Sequence, residues 1–105
     1  MIPKYYEHDA QTLHIPEYKD VGDWLNENIL DFSVLLGSRK DILEMHLAVT
    51  IGGPNVWYIL DGTEFVRIRY CEPFKSCEEK SVHNPYAKEL FEVLRDYLEE
   101  TWLQA

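Results

Sequence analysis

Leu43-Glu44-Met45-His46-Leu47-Ala48-Val49-Thr50-Ile51, then Gly52-Gly53-Pro54, then Val56-Trp57-Tyr58-Ile59-Leu60-Asp61-Gly62: this stretch decides the fold class. In its first part Leu43, Met45, Leu47, Val49 and Ile51 alternate with Glu44, His46, Ala48 and Thr50. That period of two is the mark of a half-buried strand. Gly52-Gly53-Pro54 stops it, because proline donates no hydrogen bond and paired glycines permit a sharp turn. Residues 56–60 are apolar on both faces and predict a central strand. Asp61-Gly62 is a hairpin signal. Residues 64–71 give a third strand, with Val66, Ile68 and Tyr70 on one face and Phe65, Arg67 and Arg69 on the other. A two-residue loop would place Trp57 opposite Val66. A three-residue loop would place Tyr58 opposite Val66 and Trp57 opposite Arg67; it matches the apolar faces better and offers a cation–π contact.

Outward from this hairpin the period becomes helical. Upstream, Val21, Trp24, Leu25, Ile29 and Phe32 share one face, Asp20 is placed as an N-cap, and Gly37-Ser38 ends the segment. Residues 1–18 contain Pro3 and Pro16 and read as an extended arm, with a short edge strand around 12–15. Downstream, residues 72–83 are polar and read as a loop. Asn84 caps a long helix with Pro85 at its first position. Tyr86, Leu90, Leu94, Tyr97 and Leu98 form its buried stripe, flanked by Val93 and Trp102. The expectation is one α+β domain over residues 1–105. It has a three-stranded antiparallel sheet packed by an N-terminal helix and a long C-terminal helix.

Bulk properties bound the function. A chain of 105 residues with 46% apolar content can build a core without metal or disulfide. The formal charge of −9, from 19 acidic and 10 basic residues, disfavours direct binding to nucleic acid or an anionic membrane and suits a basic partner. The first eight residues hold no apolar leader core, and no apolar run approaches the ~20 residues that span a bilayer, so a cytoplasmic protein is expected. In that compartment Cys71 and Cys77 are expected as reduced thiols. With His83 they would supply only three metal ligands at no usual spacing, so no metal or other cofactor is expected.

His8, His14, His46 and His83 are scattered, no triad or phosphate loop occurs, and an enzyme is not expected. The suggestive feature is acidic. Asp20, Asp23, Glu27 and Asp31 would form a ladder on one face of the first helix, about 4.5–6 Å apart along the axis. Seven acids and one base, Lys19, lie between Glu7 and Asp31, whereas a face tuned for stability alone interleaves bases at i+4. Glu89, Glu92, Asp96, Glu99 and Glu100 repeat the bias against Lys88 and Arg95. Glu99 and Glu100 oppose the helix dipole, so they are not there for helix stability and are either neutral or part of a contact surface. Tyr5, Tyr6 and Tyr18 are interface candidates, since tyrosine gives contact area at low entropy cost. Arg67 and Arg69, with His46 nearby, read either as cross-strand partners of Glu44 or as an anion site.

The segment from Leu47 through Gly52-Gly53-Pro54 to Ile59, with Arg69-Tyr70-Cys71-Glu72-Pro73-Phe74 closing the hairpin, resembles a strand–Gly-Gly-Pro–strand pattern. That pattern belongs to small acidic proteins of phages and mobile elements. The resemblance covers about a quarter of the chain. It implies the context of anti-CRISPR and anti-restriction inhibitors, several of which present carboxylates to a basic nucleic-acid groove; it carries no inhibitory residue across. The expected function is inhibition by occluding a basic surface on a nuclease or CRISPR effector. Asp20, Asp23, Glu27, Asp31, Tyr18, Glu99 and Glu100 are the contact candidates. Two alternatives stay open: a homodimeric accessory protein joined through the spare face of the Trp57 strand, and a small anion-binding domain using Arg67 and Arg69.

Overall fold

A computed structural model describes residues 1–101. It has three helices, α1 (Lys4–Thr12), α2 (Val21–Asn28) and α3 (Ala87–Thr101). It has five strands, β1 (Asp31–Leu36), β2 (Ile42–Thr50), β3 (Asn55–Leu60), β4 (Phe65–Cys71) and β5 (Glu78–His83). The strands form an antiparallel meander in the order β1-β2-β3-β4-β5. The α+β class is as expected, and β3 is the central strand. The sheet, however, has five strands rather than three.

The two extra strands escape the sequence pattern for different reasons, β1 because its segment carries two signals at once and β5 because it carries almost none. Ile29 and Phe32 continue the helical spacing from Trp24 and Leu25, but Phe32 and Val34 also alternate. The helix ends at Asn28, whose side-chain amide donates to the Trp24 carbonyl at 2.9 Å, and Ile29 is extended. Asp31–Leu36 then pairs with β2, with Val34 opposite Met45 and Phe32 opposite Leu47. At the other edge, Glu78–His83 pairs with β4 although only Val82 is buried. A strand so polar has no apolar period to betray it, hence its reading as a loop.

Within the expected extended arm of residues 1–18, Lys4–Thr12 is instead a helix, and no strand forms around 12–15. Ile2 and Ala10 are buried, and Tyr6 and Leu13 pack against the same core. Their spacing of four, four and three is helical. Pro3 stands just before the first turn, where a proline is tolerated, and its carbonyl accepts the Tyr6 N–H.

Side chains alternate across a sheet, and here one face takes all three helices. Met45 and Leu47, Val56, Tyr58 and Leu60, Val66 and Ile68, and Val82 join Trp24, Leu25, Leu90, Phe91, Leu94 and Leu98 in one core. The buried stripe of α3 thus includes Ala87 and Phe91, whereas Tyr86 is exposed; Trp102 lies outside the described residues. An extra residue in β2 shifts the register, since Leu35 pairs with Glu44 and Leu36 with Ile42. Leu43 is that extra residue, and it is exposed together with Ile51 rather than in the core row.

The β3–β4 hairpin takes neither expected register. Leu60 pairs with Val66, Tyr58 with Ile68 and Trp57 with Arg69. Asp61 Oδ1 accepts both the Thr63 N–H (3.1 Å) and its hydroxyl (2.6 Å), which widens the turn, and Gly62 takes φ +87°. The pairing still matches apolar to apolar, because it differs from the three-residue register by two positions.

Cys71 and Cys77 are joined in a disulfide, contrary to the expected free thiols. The β4–β5 hairpin returns the chain so that the end of one strand and the start of the next face each other. Denatured, unreduced protein is therefore expected to expose no thiol to an alkylating reagent, and both after reduction.

Asn84 is the buried polar side chain of the core, fully enclosed. Its Oδ1 accepts the Tyr86 N–H (2.7 Å) and so caps α3. Its Nδ2 donates to the carbonyls of Ala10 (2.8 Å) and Leu13 (2.9 Å), which the end of α1 leaves unpaired. Its own N–H donates to the Glu64 carbonyl. Asn84→Ala is expected to lower unfolding free energy by about 2–4 kcal/mol, because two buried acceptors lose their donors. Asn84→Asp, which sets a carboxylate against two carbonyls, should cost at least as much. Urea denaturation of both variants checks this.

Candidate partner-binding surface

The charge is divided by layer. Residues 1–29 and 84–101, which form the helical layer, hold eleven acidic and four basic residues. Residues 30–83, which form the sheet, hold eight and six. Most of the −9 therefore sits on the helices.

Within that layer the carboxylates are arranged differently from the expected ladder. Asp20 caps α2, its Oδ1 accepting the Asp23 N–H at 3.1 Å. Glu27 is paired with Lys19 at 2.8 Å. This pairing raises the Lys19 ammonium above its ordinary value, chiefly through the hydrogen bond to Glu27. Asp31 is not on the helix at all. It begins β1, and its Oδ1 accepts the Phe32 N–H at 2.9 Å. Asp20, Asp23, Glu27 and Asp31 thus make no continuous helical stripe, because the helix stops three residues before Asp31.

The continuous stripe is on α3. Glu89, Glu92, Asp96, Glu99 and Glu100 are all exposed, and the first four follow each other at three- and four-residue steps. They lie about 4.5–6 Å apart along the axis. Arg95 approaches Asp96 at 3.5 Å, and both are exposed. Such a surface pair contributes little.

Beside the first turn of α3 lies a cleft of about 280 Å³. Ile15, Pro16, Leu90 and Val93 make its apolar walls; Glu17 and Glu89 bring carboxylates to it. The rings of His14 and Tyr86 meet at its side, 5.0 Å apart. Tyr18 lies two residues beyond Pro16 and is 89% exposed. The cleft was invisible in the sequence because its two walls are some seventy residues apart. The Asn84 junction and the packing of Leu13 and Ile15 on the core bring them together.

Among the described residues no helix packs on the opposite face of the sheet. Its polar residues form one chain of contacts. His46 Nε2 lies 2.9 Å from Glu44 Oε1, and the Arg67 guanidinium donates to both oxygens of Glu44 at 3.3 Å. Arg67 Nε lies 3.5 Å from Glu79, and Arg69 Nε donates to Glu79 at 2.6 Å. Ile59, 1% exposed, is covered on this face, between Arg67 on β4 and His46 on β2. Both arginines thus have carboxylates across the strands, and an incoming anion would have to displace Glu44 or Glu79. Trp57 stands half-buried in the same face.

The His46 hydrogen bond, and after it Arg67, hold the Glu44 carboxyl below its ordinary value of 4.5 despite some burial. A carboxyl with a lowered folded value adds stability that is complete above the unfolded value and disappears as pH falls through the folded one. Wild type and Glu44→Gln are therefore expected to differ in stability at neutral pH and to converge below pH 4.5. Urea titrations across that range measure the convergence.

Among the described residues no group of three metal-ligating side chains is placed to hold an ion, and no helix is long and apolar enough to cross a membrane. Comparison with known proteins finds no matching family model, no curated relative and no similar solved structure.

Proposed function

We propose that this chain is a non-catalytic inhibitor of the anti-CRISPR or anti-restriction kind. In this reading its helical layer occupies a basic, nucleic-acid-binding surface on a nuclease or CRISPR effector. The observation that carries the reading is the uncompensated carboxylate stripe on α3. A row of charges at one per turn offers a basic groove what a phosphate backbone offers it, and attraction of this kind speeds encounter.

The cleft beside the stripe supplies the anchor such a surface needs. An arginine or lysine side chain could lay its aliphatic stem on Ile15, Pro16, Leu90 and Val93 and set its charge between Glu17 and Glu89. The sheet's open face is the weaker candidate, since its arginines are already held by carboxylates. Effectors of this class act in the cytoplasm, and the reading places the protein there, in a reducing environment that opposes the Cys71–Cys77 disulfide.

The test is binding to an effector captured on immobilised protein at about 0.1 M salt and challenged at about 1 M, where the screening length falls to ~3 Å. Glu92→Lys, Asp96→Lys and Glu99→Lys together should weaken binding at least about 30-fold, or about 2 kcal/mol. Added nucleic acid should compete. Binding that survives high salt, the triple reversal and excess nucleic acid would rule out occlusion by charge.

A further inference from the structure

The segment that joins α1 to α2, residues 13–20, lies between two clefts. One is the cleft of about 280 Å³ beside the first turn of α3. The other, of about 320 Å³, lies toward α2, with Asp9, Trp24, Glu27 and Asn28 in its wall. His14 and Pro16 line both, so the two adjoin and make one groove. The joining segment is fixed before anything enters. Asn84 Nδ2 holds the Leu13 carbonyl at 2.9 Å, and the Lys19 N–H donates to the Pro16 carbonyl at 2.9 Å. Leu13 and Ile15 pack on the core, and the proline ring restricts the backbone between the two anchors. A groove built in this way loses little freedom when a ligand binds.

The two halves differ in how their carboxylates are used. In the cleft toward α2, Asp9 accepts the Tyr58 hydroxyl at 2.7 Å and Glu27 holds the Lys19 ammonium at 2.8 Å. The chain thus places its own lysine there. In the cleft beside α3, Glu17 and Glu89 are exposed, and neither pairs with a base among the described residues. Two rings stand with them. Tyr86 is 48% exposed, its backbone is set by the Asn84 cap, and its ring lies 5.0 Å from that of His14 at a tilt of 32°. His14 Nδ1 lies 2.8 Å from the Thr12 carbonyl. A carbonyl can only accept, so Nδ1 carries the proton, and in the neutral ring Nε2 is left as an acceptor. The cleft falls just short of the ~300–1,000 Å³ typical of small-molecule pockets, which suits a single side chain.

We propose that this groove receives an extended basic segment of a partner protein, and that the cleft beside α3 selects an arginine from it over a lysine. A guanidinium is planar and weakly hydrated, presents a rigid fork of N–H donors and stacks on aromatic rings. Two carboxylates, a ring acceptor and the His14–Tyr86 pair offer it all of these partners, and the apolar walls take its stem. A lysine ammonium is a compact, strongly hydrated point charge and gains less from the rings. The Lys19–Glu27 pair closes the other cleft to a second cation, so the residue that enters it is uncharged. Nucleic acid and anionic lipid are repelled by the same carboxylates. The basic character of the partner rests on the inhibitor reading; the preference of the cleft for arginine does not.

The probe is a blocked pentapeptide, acetyl-Ala-Ser-Arg-Ser-Ala-amide, set against versions with lysine or citrulline (the neutral isostere of arginine) at its centre. Amide chemical shifts of the isotope-labelled full chain read the binding. Saturable shifts centred on His14, Glu17, Tyr86 and Glu89 are expected. The arginine peptide should bind at least about fivefold more tightly than the lysine peptide and about 10-fold more tightly than the citrulline one. Glu17→Gln and Glu89→Gln should each weaken it at least about fivefold, whereas Glu92→Gln, which removes the same charge outside the cleft, should change it less than about twofold. Tyr86→Leu should narrow the gap between arginine and lysine. All four positions are exposed, and the dispersion of the amide spectrum shows whether each variant is folded. Equal affinity for arginine and lysine, an effect of Glu92→Gln as large as that of Glu89→Gln, or no saturable binding would overturn the proposal. So would shifts at these residues on concentrating the free protein, which would put a second copy in the groove. Arginine-peptide binding without effector capture keeps the site and removes the inhibitor reading; capture without peptide binding does the reverse.

Discussion

Asn84 carries the constraint on which the rest depends. A side-chain amide has two donors and an acceptor, and when buried it must satisfy them within the protein. Here the acceptor starts α3 and the donors finish α1, while the backbone N–H holds the turn before β4. Two helix ends that would each leave polar groups orphaned in the core are resolved by one residue. The cost of leaving any of these groups unpaired is what fixes α1 against α3.

The layering follows from that junction. With α1 and α3 tied together over β3, β4 and β5, the helical layer covers the second half of the sheet most fully. Tyr58, fully buried, supports the same corner by donating to Asp9 on α1 at 2.7 Å. Burial, and then that hydrogen bond, push its phenol well above the ordinary tyrosine value, so it stays a donor throughout the accessible pH range. At the far edge, Leu35 and Leu36 of β1 are exposed.

The same asymmetry sorts the charge. On the open face of the sheet, acids and bases lie across adjacent strands and neutralise one another. On the helices, exposed positions are filled with carboxylates and few bases, and a stripe remains uncompensated along α3. The negative charge thus lies mostly on the helical layer, and the paired charges lie on the open face of the sheet.

The sequence by itself determined the α+β class, the central strand, the Asp20 cap, the Asn84 cap and the helix that follows it. These are local: alternation, 3.6-residue spacing and capping each act within a few residues. It also carried the right pairing of Arg67 with Glu44 as one of two readings. Tertiary structure decided β1, where helical spacing and strand alternation overlap at Phe32 and only pairing with β2 breaks the tie. It decided β5, whose polar sequence becomes a strand because β4 offers it a ladder, and the disulfide, which needs the hairpin to bring Cys71 to Cys77. It also ended α2 before Asp31, which leaves the α3 carboxylates, already legible in the sequence, as the continuous stripe, and it built the cleft from walls far apart in the chain. In most of these cases the deciding energy is a contact between segments that the local pattern does not connect, for which a one-dimensional pattern holds no term.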